Sequence, residues 1–507
     1  MAHLASRRVR ALALPAGIAL TASLGFLPAT TASAASAPAV SQDGPKLSYV
    51  VNTEGSHKTV EQVEKAIAKA GGTIVVAYDQ IGVLVVHSQN PAFAETIRKV
   101  RGVESAGATR TNPIVPQATT DVGAAAQPLT AAEAAGAAEG ATASQDPLEP
   151  LQWDLPAMKA DKAHEITLGS RNVTAAVIDT GVDDTHPDLA PNFDAAASAN
   201  CVSGAPDTTP GSWRPAAGES DHGTHVAGTI AAAKNGIGVT GVAPGVKVAG
   251  IKVATSDGFF YTEAVVCGFV WAAEHGVDVT NNSYYTDPWL YNCKNDPDQG
   301  ALVEALGRAT RYAEGKGVVN VAAAGNSAED LAATSIEDST SPNDTVTEDR
   351  VIDPRTCLDI PSMLPGVVTV SATGAKGLKS SYSNYGYGVV DVAAPGGDST
   401  IYQKPEAPAT SGLILSTLPG GQYGYKAGTS MATPHVVGVV ALIESKHPHA
   451  SPAAVKALLA LEADATACGA PYDIDSDGTV DAVCKGGKAY NGFYGAGNVD
   501  ALDAVRY

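Results

Sequence analysis

The sequence predicts an α/β fold: a parallel sheet with helices on both faces, preceded by a small α+β module. Two observations predict the sheet. Residues 173–178, 247–253, 277–280, 318–323 and 367–372 are short, continuously apolar runs rich in β-branched residues, and helical patterns such as 261–275 and 300–316 lie between them. Strands apolar on both faces need helices above and below, and alternation of strand and helix makes the sheet parallel. A third observation predicts the module: residues 46–116 read in the order β-α-β-β-α-β, a split βαβ sandwich.

The elements follow in chain order. Arg7, Arg8 and Arg10 precede a mostly apolar run, 11–28, and Ala32-Ser33-Ala34 or Ala35-Ser36-Ala37 supplies small residues for cleavage. Residues 1–37 therefore read as a signal peptide. Pro15, Gly17 and Gly25 interrupt the run, which is too short to be a membrane anchor. The Arg7-Arg8 pair raises twin-arginine export, but the residues after it fit that pattern poorly.

In the module, 46–52 has strand character, and Val60, Val63, Ile67 and Ala70 recur at helical spacing. Runs 73–77 and 83–87 are β-rich, and Phe93, Ile97 and Val100 mark a second helix. Residues 117–147 are Ala-rich with few bulky apolar side chains. Such a segment cannot offset its ordering entropy by burial and reads as a linker, although alanine favours helix. The main domain is expected over 148–507.

The chain has 507 residues and a formal charge of −20, from 33 Lys and Arg against 53 Asp and Glu. No basic block exists to face nucleic acid, and anionic membranes are disfavoured partners. The balance fits a soluble extracellular protein. Six cysteines, an even number in an exported chain, read as disulfides. Cys468 and Cys484 bracket a short polar loop and form the most evident pair. There is no Cys-x-x-Cys spacing to support zinc or redox chemistry.

Three motifs carry chemistry. Gly428-Thr429-Ser430 runs directly into the apolar helical stretch that begins Met431-Ala432-Thr433-Pro434-His435. A serine there sits in the first turn of a helix, among free backbone N–H groups. Val177-Ile178-Asp179-Thr180-Gly181 is a buried strand ending in an acid, and Asp221-His222-Gly223-Thr224-His225 supplies an imidazole. Taken singly, each motif is more often structural. Together they supply a nucleophile, a base and a group to orient the base. Asp179 and Asn326 both fall at carboxyl ends of predicted strands, where open α/β sheets place their ligands.

The order Asp, His, Ser resembles that of the subtilisin (subtilase, S8) family of secreted serine proteases. The resemblance covers 148–507, with a weaker match of 46–116 to the family's inhibitory I9-like propeptide. It implies a subtilisin-like sheet after a ferredoxin-like propeptide. It also implies Ser430 as nucleophile, His222 as base and Asp179 as the acid that orients it. His222 is the first histidine of the His-Gly-Thr-His pattern, so His225 is left to packing. Asn326, in Ala323-Ala324-Gly325-Asn326-Ser327, matches the side-chain donor of the oxyanion hole, with the Ser430 N–H as the second donor. Ser283, Tyr284 and Tyr285 stand in the substrate-pairing edge, where many members have Ser-Leu-Gly-Gly. Tyr285 replaces a glycine beside the P1 side chain, so a P1 preference unlike the broad, large-hydrophobic one is expected. The alternative is that both tyrosines pack beneath the inserted loop 286–299.

The resemblance further implies a structural calcium held by Asp188, Asn235 and the carbonyls of Ala233, Ile237 and Val239, with Asp146 or Glu149 as an added ligand. No cofactor is expected for catalysis. The four cysteines near insertions are paired as Cys201 with Cys267 and Cys293 with Cys357. Asp473, Asp475, Asp477, Gly478 and Asp481 imitate an EF-hand start, but Cys484 stands where its closing glutamate belongs, so a disulfide-closed loop is the better reading. The implied function is a secreted, monomeric endopeptidase made as a zymogen, inhibited by its own propeptide and cut by itself within 110–147. Its partners are protein or peptide substrates. No sorting tail follows residue 507, so free release is expected. The alternatives are a narrow-specificity peptidase and a catalytically silent binding protein.

Overall fold

The computed structural model describes residues 44–506, except 55–56, 115–124, 401–402, 470–471 and 474–477. The expected signal peptide, together with Asp475 and Asp477, lies outside the described residues.

The N-terminal module contains β1 (Leu47–Thr53), α1 (His57–Lys69), β2 (Gly72–Tyr78), β3 (Val83–Ser88), α2 (Phe93–Ile97) and β4 (Val103–Ala108). Its antiparallel sheet has the order β2-β3-β1-β4. Alternate residues of β1 serve two cores. Tyr49 and Val51 face Val63, Ile67, Phe93 and Ile97 within the module, whereas Val50 joins a cluster of the main domain. That two-sided burial is the reason β1 reads as continuously apolar. The second helix stops at Ile97, short of the expected Val100.

The Ala-rich segment is more ordered than its composition implied. Among its described residues, β5 (Gln127–Pro128) adds to a sheet edge and α3 (Ala131–Gly140) is a helix. Thr130 closes a capping box with Glu133: its hydroxyl accepts from the Glu133 N–H at 3.2 Å, and its own N–H donates to Oε2 at 3.0 Å. Ala137 packs with Leu148, Leu151 and Tyr425, so tertiary burial supplies what composition lacked.

The main sheet comprises β6 (Thr174–Asp179), β7 (Ala199–Asn200), β8 (Lys247–Lys252), β9 (Val279–Asn282), β10 (Val319–Ala323), β11 (Val368–Thr373) and β12 (Val392–Pro395), all paired in parallel. The strand order is β12-β11-β10-β9-β6-β8-β7. Helices α4 (His222–Ala231), α5 (Thr262–Glu274) and α6 (Pro297–Gly315) precede the hairpin β13 (Ile414–Leu418) and β14 (Gln422–Lys426), then α7 (Thr429–Lys446) and α8 (Pro452–Glu462). One face of the sheet packs on α4 and α7, through Val226, Ile230, Val436 and Val440. The other packs on α5 and α6, through Val265, Phe269, Leu302 and Leu306. Three disulfides join Cys201 to Cys267, Cys293 to Cys357 and Cys468 to Cys484. Among the described residues, no helix is long and apolar enough to cross a membrane.

Candidate active site

Asp179 ends β6 and is fully buried. Its Oδ1 accepts from the Thr180 N–H at 2.7 Å and lies 2.8 Å from Nδ1 of His222, the first residue of α4. A carboxylate held this way fixes the imidazole tautomer and leaves the other ring nitrogen to act as a base. Thr180 also accepts the Gly223 N–H at 3.0 Å, tying the strand end to the first turn of α4. His225 is fully buried, with Nε2 3.1 Å from the Ile414 carbonyl and 3.2 Å from that of Gly424. Burial holds its pKa well below the usual range, which suits a neutral structural imidazole.

Ser430 lies in the first turn of α7 and lines one cavity with His222, Asn326, Ser283 and Tyr285. Its hydroxyl donates to the Ser283 carbonyl at 3.1 Å, and the Ser283 hydroxyl donates to the Ser430 carbonyl at 3.0 Å. The second bond has a covalent cause. Pro434 lies four residues along α7 and has no N–H, so the Ser430 carbonyl lacks its helical donor. Ser283 supplies one and binds the end of β9 to the start of α7.

Asn326 follows Gly325, whose φ of +99° suits glycine and where a Cβ would meet the Asn384 amide at 2.5 Å. Asn326 Oδ1 accepts from the Thr429 N–H at 2.8 Å and its hydroxyl at 2.9 Å. The acceptor end is thereby anchored and the NH₂ end is left to donate. No local pattern in the sequence marks this role of Thr429, because its partner is 103 positions away. Tyr284 is buried, stacks on Phe260 at 4.5 Å and donates to Asn282 Oδ1 at 2.9 Å. Tyr285 is half-buried and its hydroxyl accepts from Asn343 at 2.8 Å. A second cavity, among Asp183, Arg214 and Tyr423, contains neither His222 nor Ser430.

The expected calcium loop lies apart from this cleft. Val239 N–H, the Tyr423 hydroxyl and the Asn235 amide approach Asp188 at 3.0, 2.9 and 3.3 Å, and the Ala233 N–H bonds the Asp188 carbonyl at 2.7 Å. Asp146 accepts from the Gly236 N–H at 2.7 Å and the Thr240 hydroxyl at 2.9 Å. Burial, with Asp146 repulsion as a lesser cause, raises the Asp188 pKa to about 6. Two acids from separate segments and an amide gathered around the 234–240 loop, with a carboxylate that burial disfavours, fit a hard cation. The described residues hold no cluster of three or more His, Cys, Asp or Glu, so any such cage relies on Asn235 and loop carbonyls.

Residues 170–497 match the model of the subtilase family, so the chain belongs to that family, whose members are serine-type endopeptidases. Subtilisin NAT of Bacillus subtilis subsp. natto is 35% identical over 298 residues, which cover 59% of this chain and 62% of that protein. A subtilisin of Bacillus pumilus is 34% identical over 322 residues, 64% of this chain and 94% of that protein. The chain thus spans less than two thirds of the first of these relatives. Among solved structures, the epidermin leader peptide processing serine protease of Staphylococcus aureus aligns with a TM-score of 0.64 at 25% identity, covering 91% of this chain and 98% of its own. Fervidolysin of Fervidobacterium pennivorans, a keratinolytic enzyme related to subtilisin, aligns with a TM-score of 0.59 at 25% identity, over 91% of this chain and 61% of its own.

Proposed function

We propose that this chain is a secreted serine endopeptidase that hydrolyses peptide bonds through an acyl-enzyme on Ser430. The observation that carries this reading is the buried Asp179–His222 pair opening on the cavity that holds Ser430 and the anchored Asn326 amide. Ser430 turns from the Ser283 carbonyl towards His222 when substrate enters. His222 takes its proton as the oxygen attacks the scissile carbonyl, and then gives it to the leaving amine. Asn326 and the Ser430 N–H stabilise the oxyanion. Water repeats the sequence to release the acyl group. Asp188, Asn235 and Asp146, with the carbonyls of Ala233, Ile237 and Val239, would hold a structural calcium that ties the loop down and takes no part in catalysis.

The module at 46–116 acts as an intramolecular inhibitor and folding aid in this reading. Self-cleavage falls within 110–147, where 115–124 lies outside the described residues. Support comes from the ends of that stretch. Thr111 N–H bonds Asp344 at 2.8 Å, next to the cleft residue Asn343, and Gln127 pairs with Tyr425, five residues before Ser430. Three disulfides support an extracellular site. A monomeric mature enzyme completes the reading.

The test is expression of the precursor beside its Ser430→Ala variant, followed by intact mass and N-terminal sequencing. Only the wild type should shed about its first hundred residues or more. Identical trimming of both would assign maturation to another protease. Lack of labelling by a fluorophosphonate would remove the nucleophile.

A further inference from the structure

The cleft beside Ser430 has a cavity of about 470 Å³ whose lining includes Asp359, which lies adjacent to Gly325 in space. Asp359 is only 2% exposed. Its Oδ1 accepts no hydrogen bond from the described residues. Its Oδ2 lies 3.5 Å from where a Cβ of Gly325 would stand, next to the oxyanion residue Asn326. The other buried acid of the lining, Asp287, differs. Its two oxygens accept from the Asn343 amide at 2.6 Å and the Phe260 N–H at 2.5 Å. Lys426, the basic residue of the lining besides His222, already pairs with Asp221 at 2.8 Å.

A carboxylate kept from water without a cation or a full set of donors is costly. The fold nevertheless holds Asp359 firmly. It follows Cys357–Leu358, which pairs with Asn292–Cys293 and is stapled there by the Cys293–Cys357 disulfide. Its own carbonyl accepts the Met363 N–H at 2.9 Å. We infer that Asp359 is the specificity determinant of the P1 pocket and selects a cationic P1 side chain, arginine or lysine. The inference rests on the protease reading above. Burial pushes the Asp359 carboxyl well above its usual range, opposed by a hydrogen bond from Ser362 and helped by nearby Glu329. An incoming guanidinium or ammonium supplies the missing partner, whereas an apolar side chain would seal the acid in unpaired.

Fluorogenic tetrapeptides differing only at P1 (Arg, Lys, Gln, Leu or Phe) test this on the self-processed enzyme. Arg or Lys should exceed Leu and Phe in kcat/KM by roughly 10²-fold or more. In Asp359→Asn that ratio should collapse to within a few fold. Benzamidine should inhibit the wild type competitively, which keeps the test open if the variant does not fold. A wild-type preference for Leu, Phe or Gln, or a ratio unchanged in Asp359→Asn, would overturn the inference. Fluorophosphonate labelling separates the two readings. A labelled enzyme without cationic preference loses only this inference, and an unlabelled, inactive enzyme loses the protease reading as well.

Discussion

At the residue scale, the polar groups around Ser430 act in pairs. Asn326 can donate into the cleft because Thr429 occupies its acceptor end, and the Thr429 hydroxyl also accepts the Gly325 N–H at 3.1 Å. Asn326→Ala should lower kcat by about 10²–10³-fold, a magnitude measured on the corresponding asparagine of a subtilisin and carried over to this chain. Thr429→Val should lower kcat by roughly tenfold with little change in KM, because the donor is loosened rather than removed. Thr429→Ser should restore most of the rate. Steady-state kinetics on a single peptide substrate would decide, and a change confined to KM would exclude the positioning role.

Among the elements, α7 carries both the nucleophile and an acid out of place. Glu444 is buried near the end of α7, and burial together with nearby Asp278 raises its pKa to about 8 from the ordinary 4.5. A raised carboxyl leaves the native state holding more protons than the unfolded chain between those two values. Stability contributed by the neutral form is therefore present at low pH and lost as pH rises through about 8. Glu444→Gln should melt at or above the wild type at pH 8.5, with the gap shrinking towards pH 5. Its size at pH 8.5 should be at most on the order of 5 kcal/mol. A gap independent of pH would show that Glu444 is not the titrating group.

The 234–240 loop is the second element whose stability can be addressed. If a cation sits on Asp188 and Asn235, saturation at 100 times Kd contributes about 2.7 kcal/mol. A chelator should then lower the melting temperature of the wild type and leave Asp188→Asn unaffected. Equal melting of the wild type with and without chelator, in protein that carries no calcium, would remove the site.

For the whole molecule, the N-terminal module is seated on α5 and α6 by polar contacts around a shared apolar cluster. Arg308 of α6 donates to the Thr53 carbonyl at 2.8 Å and pairs with Glu104, and Asn52 donates to the Ala301 carbonyl at 2.9 Å. Arg110 and Glu263 form a buried pair, with the guanidinium 3.8 Å over the Tyr261 ring. Removing one partner of such a pair leaves a buried charge alone and costs about 3–5 kcal/mol. Arg308→Glu in the full chain should bring activity on earlier after processing, by weakening retention of the module. Melting of the separated mature enzyme should change little. An unchanged lag would show that these contacts do not govern release.

Much of this architecture was legible because the signal is local. Continuous apolar runs located strands at 174–179, 247–252, 319–323 and 368–373 to within a residue or so. Asp179 and Ser430 stood out because a strand end and a helix start are each written in adjacent residues. Other features had no local signature. The β13–β14 hairpin and the helix within the Ala-rich segment gain their order from partners far along the chain. Thr429 reads as part of a Gly-Thr-Ser turn until Asn326 is folded against it. The sequence by itself determined the parallel sheet, the order of Asp179, His222 and Ser430, and the family. Only the tertiary structure decided which way Tyr284 and Tyr285 turn, what holds Asn326, and that Asp359 lies buried in the cleft with one carboxyl oxygen unpaired. Periodicity records whether a residue is buried, whereas its neighbours in a cavity depend on packing between segments that the chain keeps far apart.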